Sequence, residues 1–576
     1  MRVLFSALHF AYFKNFESAV RELAARGHVV HLSADEVEAP VDIGGQDLVE
    51  RLAGEYQRVS WDLAPSLKAE PWFDAARRLR LGLDYVRVLE PRYVSSPKLR
   101  MRAHDRTPRL VRWGAAVPVV GRPAMRAGLV RAERMLPPSA VLTEYLRRHR
   151  PDVIVLVSLT YSRSQQIDML KAARALRIPV AAAIMSWDHL SSKALLHLAP
   201  DRVLVWNEMQ RQEAVEMHGL PRERIIVTGA QCYDQWFERQ PDRSREEFCR
   251  EVGLRADRPF ALWVHSANTP QPDPPEPVLV TQWLAALRAS DDSRLRGLGV
   301  LIRPHPERLK EWNGVDLSRF DNVALRGGNP ISARAKSDYF DALYQAHAVI
   351  GLVTSAFLEA AVVGRPVLTF TLPAYRLHQE EMLHFRYLTS VGGGLLWSAP
   401  DIPAHLQQLA QALRGERVRD ERTTRFLHEF VRPAGLDVPA TPAFADAIER
   451  LQRDGTLGDA TLEGHEWLGP LSLALARSAR RGLGRWLMLD VRGDETDEQR
   501  DRKRHVLTTK RAAKAARITA KARRRARRER RDAFWRRAKE VKSALLSARY
   551  HAAMAVHRAL AMAGVGRDGI SKEGKE

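Results

Sequence analysis

A chain of 576 residues with 45% apolar and 28% charged residues has enough apolar side chains for two or more domains with substantial cores, and its composition excludes a disordered or low-complexity protein. Two cysteines, Cys232 and Cys249, exclude a disulfide scaffold and offer neither a C-x-x-C pair nor a Cys/His zinc spacing. The formal charge of +22 is concentrated in two stretches, residues 71–134 at net +10 and residues 500–542 at net +16, which leaves the rest of the chain at about −4.

Arg2 to Leu8 reads as a first strand, residues 14–26 as a helix stopped by Gly27, and residues 28–32 as a second strand, which is a Rossmann opening. The glycine fingerprint of a dinucleotide binder is missing. His9-Phe-Ala-Tyr-Phe-Lys-Asn15 stands in its place, so NAD and FAD are not expected and no cofactor is assigned. His9 stands at the tip of the first strand, facing the expected cleft. The N-terminus shows neither the basic nor the apolar region of a secretory signal, and no run approaches the ~18–20 apolar residues that span a bilayer, so the expected compartment is cytoplasmic. The basic stretch 71–134 reads as a helical insertion bordering a cleft, where its sign suits phosphate-bearing or lipid-linked molecules and is equally consistent with a simple solvated helical lid.

Apolar runs at 153–157, 180–184 and 202–206 are three further strands in a βαβαβ order, with a helical stretch over 162–176. Between the last two strands lies Ser186-Trp187-Asp188-His189-Leu190-Ser191-Ser192-Lys193. A carboxylate or an imidazole at a strand's carboxyl end can deprotonate a hydroxyl nucleophile, so Asp188, then His9 and His189, are the candidate bases, with Lys193 as a cation for a leaving group. A helix over 208–217, the turn at Gly219-Leu-Pro221 and a strand ending at Gly229 close a first domain, residues 1–240, and a linker is expected near 235–258.

The second domain, 258–430, opens on the strand Phe260 to Val264, and the polar loop with Ser266 and Asn268 is the expected place for phosphate contacts; a proline-rich stretch then delays any helix to about Val278. In Leu301-Ile-Arg303-Pro304-His305-Pro306, two prolines hold an imidazole at the end of another strand. The run from Val349 to Phe370 reads as a buried strand, a short helix begun by Thr354 and Ser355, a stop at Gly364 and Pro366, and a second strand. Backbone N–H groups and hydroxyls at that helix start suit a phosphate, and Ser355 and Glu359, four apart, share one face, so the carboxylate is placed for ribose hydroxyls.

Glu359-Ala-x-x-x-Gly364-x-Pro366-Val resembles the donor-binding segment of GT-B glycosyltransferases, and Arg-Pro-His-Pro runs resemble those of capsule sugar transferases and CDP-glycerol glycerophosphotransferases. The Trp-Asp-x-x-x-x-Lys run before Val203-Leu-Val-Trp-Asn-Glu208 is similar to that of polysaccharide-related members. The resemblance covers most of residues 1–430. It implies an α/β fold of two Rossmann-type domains facing a cleft, a nucleotide-sugar donor bound by the second domain, and a polysaccharide or lipid-linked acceptor bound by the first. His305 would contact the donor diphosphate, with Arg303 beside it. No D-x-D stands in a plausible metal loop, so no metal is expected.

After a closing segment, 431–495, the residues 496–576 form a basic helical extension, Ala-rich and free of Pro and Gly through its most basic part, with a loosely amphipathic apolar stretch following. A basic helix beside an apolar one suits an anionic membrane surface through residues 500–562, at the inner face of the plasma membrane. Nucleic acid is the second-ranked partner, because aromatic residues are sparse there and no nucleic-acid motif is present. Beside a glycosyltransferase, three alternatives remain open: a CDP-glycerol glycerophosphotransferase-like enzyme, a nucleotide-sugar 2-epimerase-like enzyme, and a scaffold or nucleic-acid-binding protein acting through its tail.

Overall fold

The computed structural model describes residues 1–35, 45–118, 120–162, 164–266, 274–328, 330, 332–415, 419–456, 547–556 and 558–559. The chain is α/β, built on two all-parallel sheets. The first contains β1 (Arg2–Ala7), β2 (Val29–Ala34), β3 (Val59–Leu63), β4 (Val153–Leu156), β5 (Val180–Ala183), β6 (Arg202–Val205) and β7 (Ile225–Val227), in the order β3-β2-β1-β4-β5-β6-β7. The second contains β8 (Phe260–Val264), β9 (Gly299–Arg303), β10 (Val323–Leu325), β11 (Ala348–Gly351), β12 (Val367–Phe370) and β13 (Leu396–Ala399), in the order β10-β9-β8-β11-β12-β13. Central strands such as Val-Ile-Val-Leu in β4 and Phe-Ala-Leu-Trp-Val in β8 are buried along their whole length, because helices cover both faces of each sheet.

The basic stretch after β3 forms four helices, Phe73–Val88, Pro97–Asp105, Arg109–Ala116 and Gly121–Met135. They are tied to the first sheet through a buried charge group. Arg80 bonds both oxygens of Asp168 (2.8 and 2.7 Å) and of Glu133 (3.0 to 3.3 Å), and Lys171 reaches Glu133 at 2.9 Å. Asp168 and Lys171 lie on the helix Gln166–Ala175 that crosses from β4 to β5.

The chain returns to the first sheet at its far end. Helix Ala440–Asp454 places Phe444, Ile448 and Leu451 in one core with Val3, Phe5 and Leu23. Asp234 fixes this crossing: its carboxylate accepts from Arg432 (2.7 and 3.0 Å), from the N–H groups of Ala440 and Thr441 at the helix start, and from the Thr441 hydroxyl at 2.6 Å. Gly229 packs under the same start with φ +83°, and a Cβ there would meet the Ala440 Cβ at 2.7 Å.

Residues 547–556 are helical and exposed, and belong to a separate unit, Gly493–Glu576. Most of the basic extension expected over 496–576, the membrane segment assigned to 500–562 included, lies outside the described residues, as does the closing segment beyond residue 456. No helix among the described residues is long and apolar enough to cross a membrane.

Candidate functional site

Each sheet reverses its direction of strand addition once, between β1 and β4 and between β8 and β11. Parallel sheets hold ligands outside the carboxyl ends of their strands at such points. The loops leaving those ends enclose a cavity of about 350 Å³ whose walls come from both sheets. Tyr12 and Lys14 follow β1, Tyr161 follows β4, Ser186 and His189 follow β5, and Ser355 and Glu359 face them from beyond β11.

On the second-domain wall, Ser355 and Glu359 both line the cavity. The Tyr339 hydroxyl donates to Glu359, and the Arg303 guanidinium lies 5.2 Å over the Tyr339 ring, so Arg303, Tyr339 and Glu359 form one chain of contacts. Burial pushes the Glu359 carboxyl up, opposed by the Tyr339 bond and by the charge of Lys14 across the cavity. The helix Ala356–Val362 starts differently from the expectation. Ser355 stands at the cap position in helical conformation without a side-chain capping bond, while the Thr354 hydroxyl accepts from Ala356 N at 3.3 Å. The next two N–H groups bond the carbonyls of Thr354 and Ser355, so local bonds already occupy much of this helix start.

Ser266 is buried, with its hydroxyl accepting from Val353 N at 3.2 Å and its own N–H bonded to Glu276. It therefore ties the β8 and β11 loops together. Asn268 lies outside the described residues. His305 follows β9 in a half-buried loop, its carbonyl accepting from Arg308 N at 2.8 Å. Among the described residues that line the cavity, His9, Asp188, Lys193, Arg303, His305 and Thr354 do not appear.

On the first-domain wall, His189 is buried and its Nε2 lies 3.3 Å from the Tyr161 hydroxyl. Burial brings its imidazole down to about 4 against the opposing pull of Asp188, so it is neutral at pH 7. Asp188 has one oxygen on the Ser186 hydroxyl (2.6 Å) and the other on Ser192 (2.7 Å). Burial alone would raise its carboxyl, but the neighbouring imidazoles of His189 and His384, the Lys193 ammonium and the bond from Ser186 hold it well below the usual range. A carboxylate so stabilised is a poor proton acceptor and a good fixed anion. His9 makes an edge contact with the Tyr12 ring at 5.6 Å.

A group of cations surrounds Asp188. Lys193 lies 5.4 Å over the Tyr161 ring, and Arg102 of the inserted helices donates to the Ser192 carbonyl. Burial, together with the like charges of Arg102, Lys193 and Arg308, brings the Lys98 ammonium down to about 8. His384, from the second domain, packs edge-on against Trp187 at 4.9 Å; it is buried and its Nδ1 has no hydrogen-bond partner. The cations Lys98 and Arg102 come from the insertion, Lys193 from a loop of the first sheet and Arg308 from the second domain, while burial pushes the His384 imidazole away from its charged form.

Away from the cleft, His31, Asp62 and His149 bring donor atoms within 4.8 Å of one another and could hold a cation. Each is engaged otherwise: the two imidazoles bond the two Asp62 oxygens at 3.0 and 3.1 Å, and the Tyr145 hydroxyl donates to the same carboxylate. Tyr12, Tyr161, Tyr339, Lys98, Arg102, Arg308 and His384 were not singled out from the sequence. They stand in no local motif and meet only through the tertiary fold; the one partial signal was the sign of the insertion.

No protein-family model matches the chain, and no curated protein sequence is similar to it. Among solved structures, it is similar to a glycosyltransferase from Rickettsia africae over 79% of this chain and 99% of that one, at 10% identity and a TM-score of 0.46. It is similar to a UDP-GlcNAc 2-epimerase from Neisseria meningitidis bound to UDP-GlcNAc over 78% of this chain and all of the other, at 12% identity and a TM-score of 0.45. It is also similar to WaaG, a glycosyltransferase involved in lipopolysaccharide biosynthesis, over 77% and 99% of the two chains, at 13% identity and a TM-score of 0.39.

Proposed function

We propose that the chain is a glycosyltransferase that moves a sugar from a nucleotide-activated donor to a polysaccharide or lipid-linked acceptor in the cleft between its two sheets. The observation that carries this reading is the pairing of Glu359 and His189 on opposite walls of one cavity at the carboxyl ends of both sheets. Glu359 accepts the ribose hydroxyls of the donor, steadied by Tyr339. The diphosphate lies toward Ser355 at the helix start, and Lys193, Lys98, Arg102 and Arg308, with Arg303 and His305 of the second domain, stand behind the cavity lining as a positive surround that cleft closure on the donor would bring into contact. Asp188 keeps this cation group in place as a fixed counter-charge.

His189 is the preferred base, ahead of Asp188 and His9, because it lines the cavity and they do not. It takes the proton from the acceptor hydroxyl as that oxygen bonds to the anomeric carbon. The bond from that carbon to the diphosphate oxygen breaks, and the nearby cations stabilise the developing charge. No metal is assigned to this step.

Thermal-shift measurements with UDP, CDP and GDP and their sugar forms test the reading. One base series should raise the melting temperature selectively, and the matching sugar nucleotide should be turned over only when an acceptor is supplied. Indifference to every nucleotide would overturn the proposal, and donor consumption without an acceptor would reassign the cleft to hydrolysis or isomerisation.

A further inference from the structure

Sixteen large hydrophobic side chains are exposed among the described residues, and six of them, Val94, Met101, Leu110, Trp113, Val117 and Val120, fall within one stretch of the basic insertion. Exposed apolar residues that share one face mark an interaction surface, where scattered ones would mean nothing. The clearest case is helix Arg109–Ala116, which has two apolar sides. Val111 and Ala115 are buried against the other inserted helices, as the contacts of Val111 with Val86 and Leu129 require. Leu110, Trp113 and Val117 recur at i, i+3 and i+7, a spacing that places them together on the other side, and they are 46%, 55% and 50% exposed. Helix geometry places Arg109 and Arg112 between the two sides, and the inserted helices also expose Arg106, Arg122, Arg126 and Arg131.

We infer that this face of the insertion docks on an anionic lipid bilayer, with Leu110, Trp113 and Val117 entering the headgroup region and the surrounding arginines meeting lipid phosphates. The occupant follows from the chemistry. An apolar stripe carrying an indole and bordered by guanidinium groups, in a segment of net +10, matches an interface with acyl chains below and negative charge above. A nucleic acid would use the arginines but has no use for an aliphatic stripe. The surface also adjoins the cleft: Met101 is 61% exposed on helix Pro97–Asp105, while Lys98 and Arg102 of the same helix belong to the cation group around Asp188. Docking there would bring an acceptor held in the bilayer to the side of the cleft bearing Lys98. The lipid contact itself does not depend on the transferase reading.

The local reporter is Trp113. Full-length protein is mixed with phosphatidylglycerol vesicles containing a bromine-labelled lipid, which quenches only indoles within the bilayer, and compared with the Trp113→Phe variant. Wild-type emission should be quenched, and the component lost in Trp113→Phe should account for that quenching; purely phosphatidylcholine vesicles should give neither effect. Leu110→Ser with Val117→Ser, at exposed positions that leave the melting temperature in place, should reduce the Trp113 quenching. Equal quenching of wild type and Trp113→Phe, whatever the rest of the chain does, would overturn the inference, as would displacement of the protein from vesicles by duplex DNA with Trp113 emission unchanged.

Discussion

Lys98 is a half-buried ammonium pressed by burial and by the like charges of Arg102, Lys193 and Arg308. Its proton is about half dissociated near pH 8, so a phosphate ligand that needs its charge must draw a proton from solution. Calorimetry of nucleoside diphosphate binding at pH 8, in two buffers of different ionisation enthalpy, should reveal proton uptake, and affinity should fall as pH rises through about 8. Lys98→Met should remove the uptake; identical uptake in the variant would mean that the ligand does not reach this group. Neither Lys98 nor His384 was legible in the sequence, because neither sits in a motif and their shared environment exists only where three segments meet. Glu359 and Ser355 were legible, since a spacing of four on a short helix fixes a common face. Asp188 was legible as a site candidate, but the bonds from Ser186 and Ser192 that occupy its oxygens were not: these serines are sequence neighbours, yet only the fold of the turn aims them.

The inserted helices stand on one buried charge group, and its balance sets their stability. Arg80 neutralises Glu133 and Asp168 while Lys171 completes the set, and all four are nearly inaccessible. Burial would raise the Glu133 carboxyl, but Arg80 and Lys171 bring it down to about 2, so it remains charged. Arg80→Ala would leave two carboxylates with one buried cation, and should cost about 3–5 kcal/mol in urea unfolding, against a change within about 0.5 kcal/mol for the exposed Arg126→Ala. Equal effects of the two would show that the group does not anchor the insertion. Among the strands, the central ones were legible as apolar runs because both of their faces are covered. β3, β10 and β13 were not: they are edge strands, short or mixed in polarity, such as Val-Ser-Trp-Asp-Leu in β3.

Across the whole molecule, the two sheets are joined by side-chain contacts around the cleft. Lys336 reaches Glu17 at 2.5 Å, the Tyr387 hydroxyl donates to Glu213 at 2.8 Å, and Asn207 donates to the Phe430 carbonyl at 2.7 Å. Asp234 pins the crossing where helix Ala440–Asp454 returns to the first sheet. That return was not legible, because an amphipathic helix shows which residues are buried but not which sheet they cover. The two-domain order was legible from the alternation of strand and helix patterns, and so was the place of the cleft, which follows from the carboxyl ends of parallel strands. The central claim, that this cleft holds a nucleotide through Glu359, is tested most directly by equilibrium binding of the stabilising nucleoside diphosphate to wild type and to Glu359→Gln. Loss of the ribose contacts should weaken binding by roughly tenfold or more, equal to about 1.4 kcal/mol, without loss of fold. Unchanged affinity in a folded Glu359→Gln protein would contradict it.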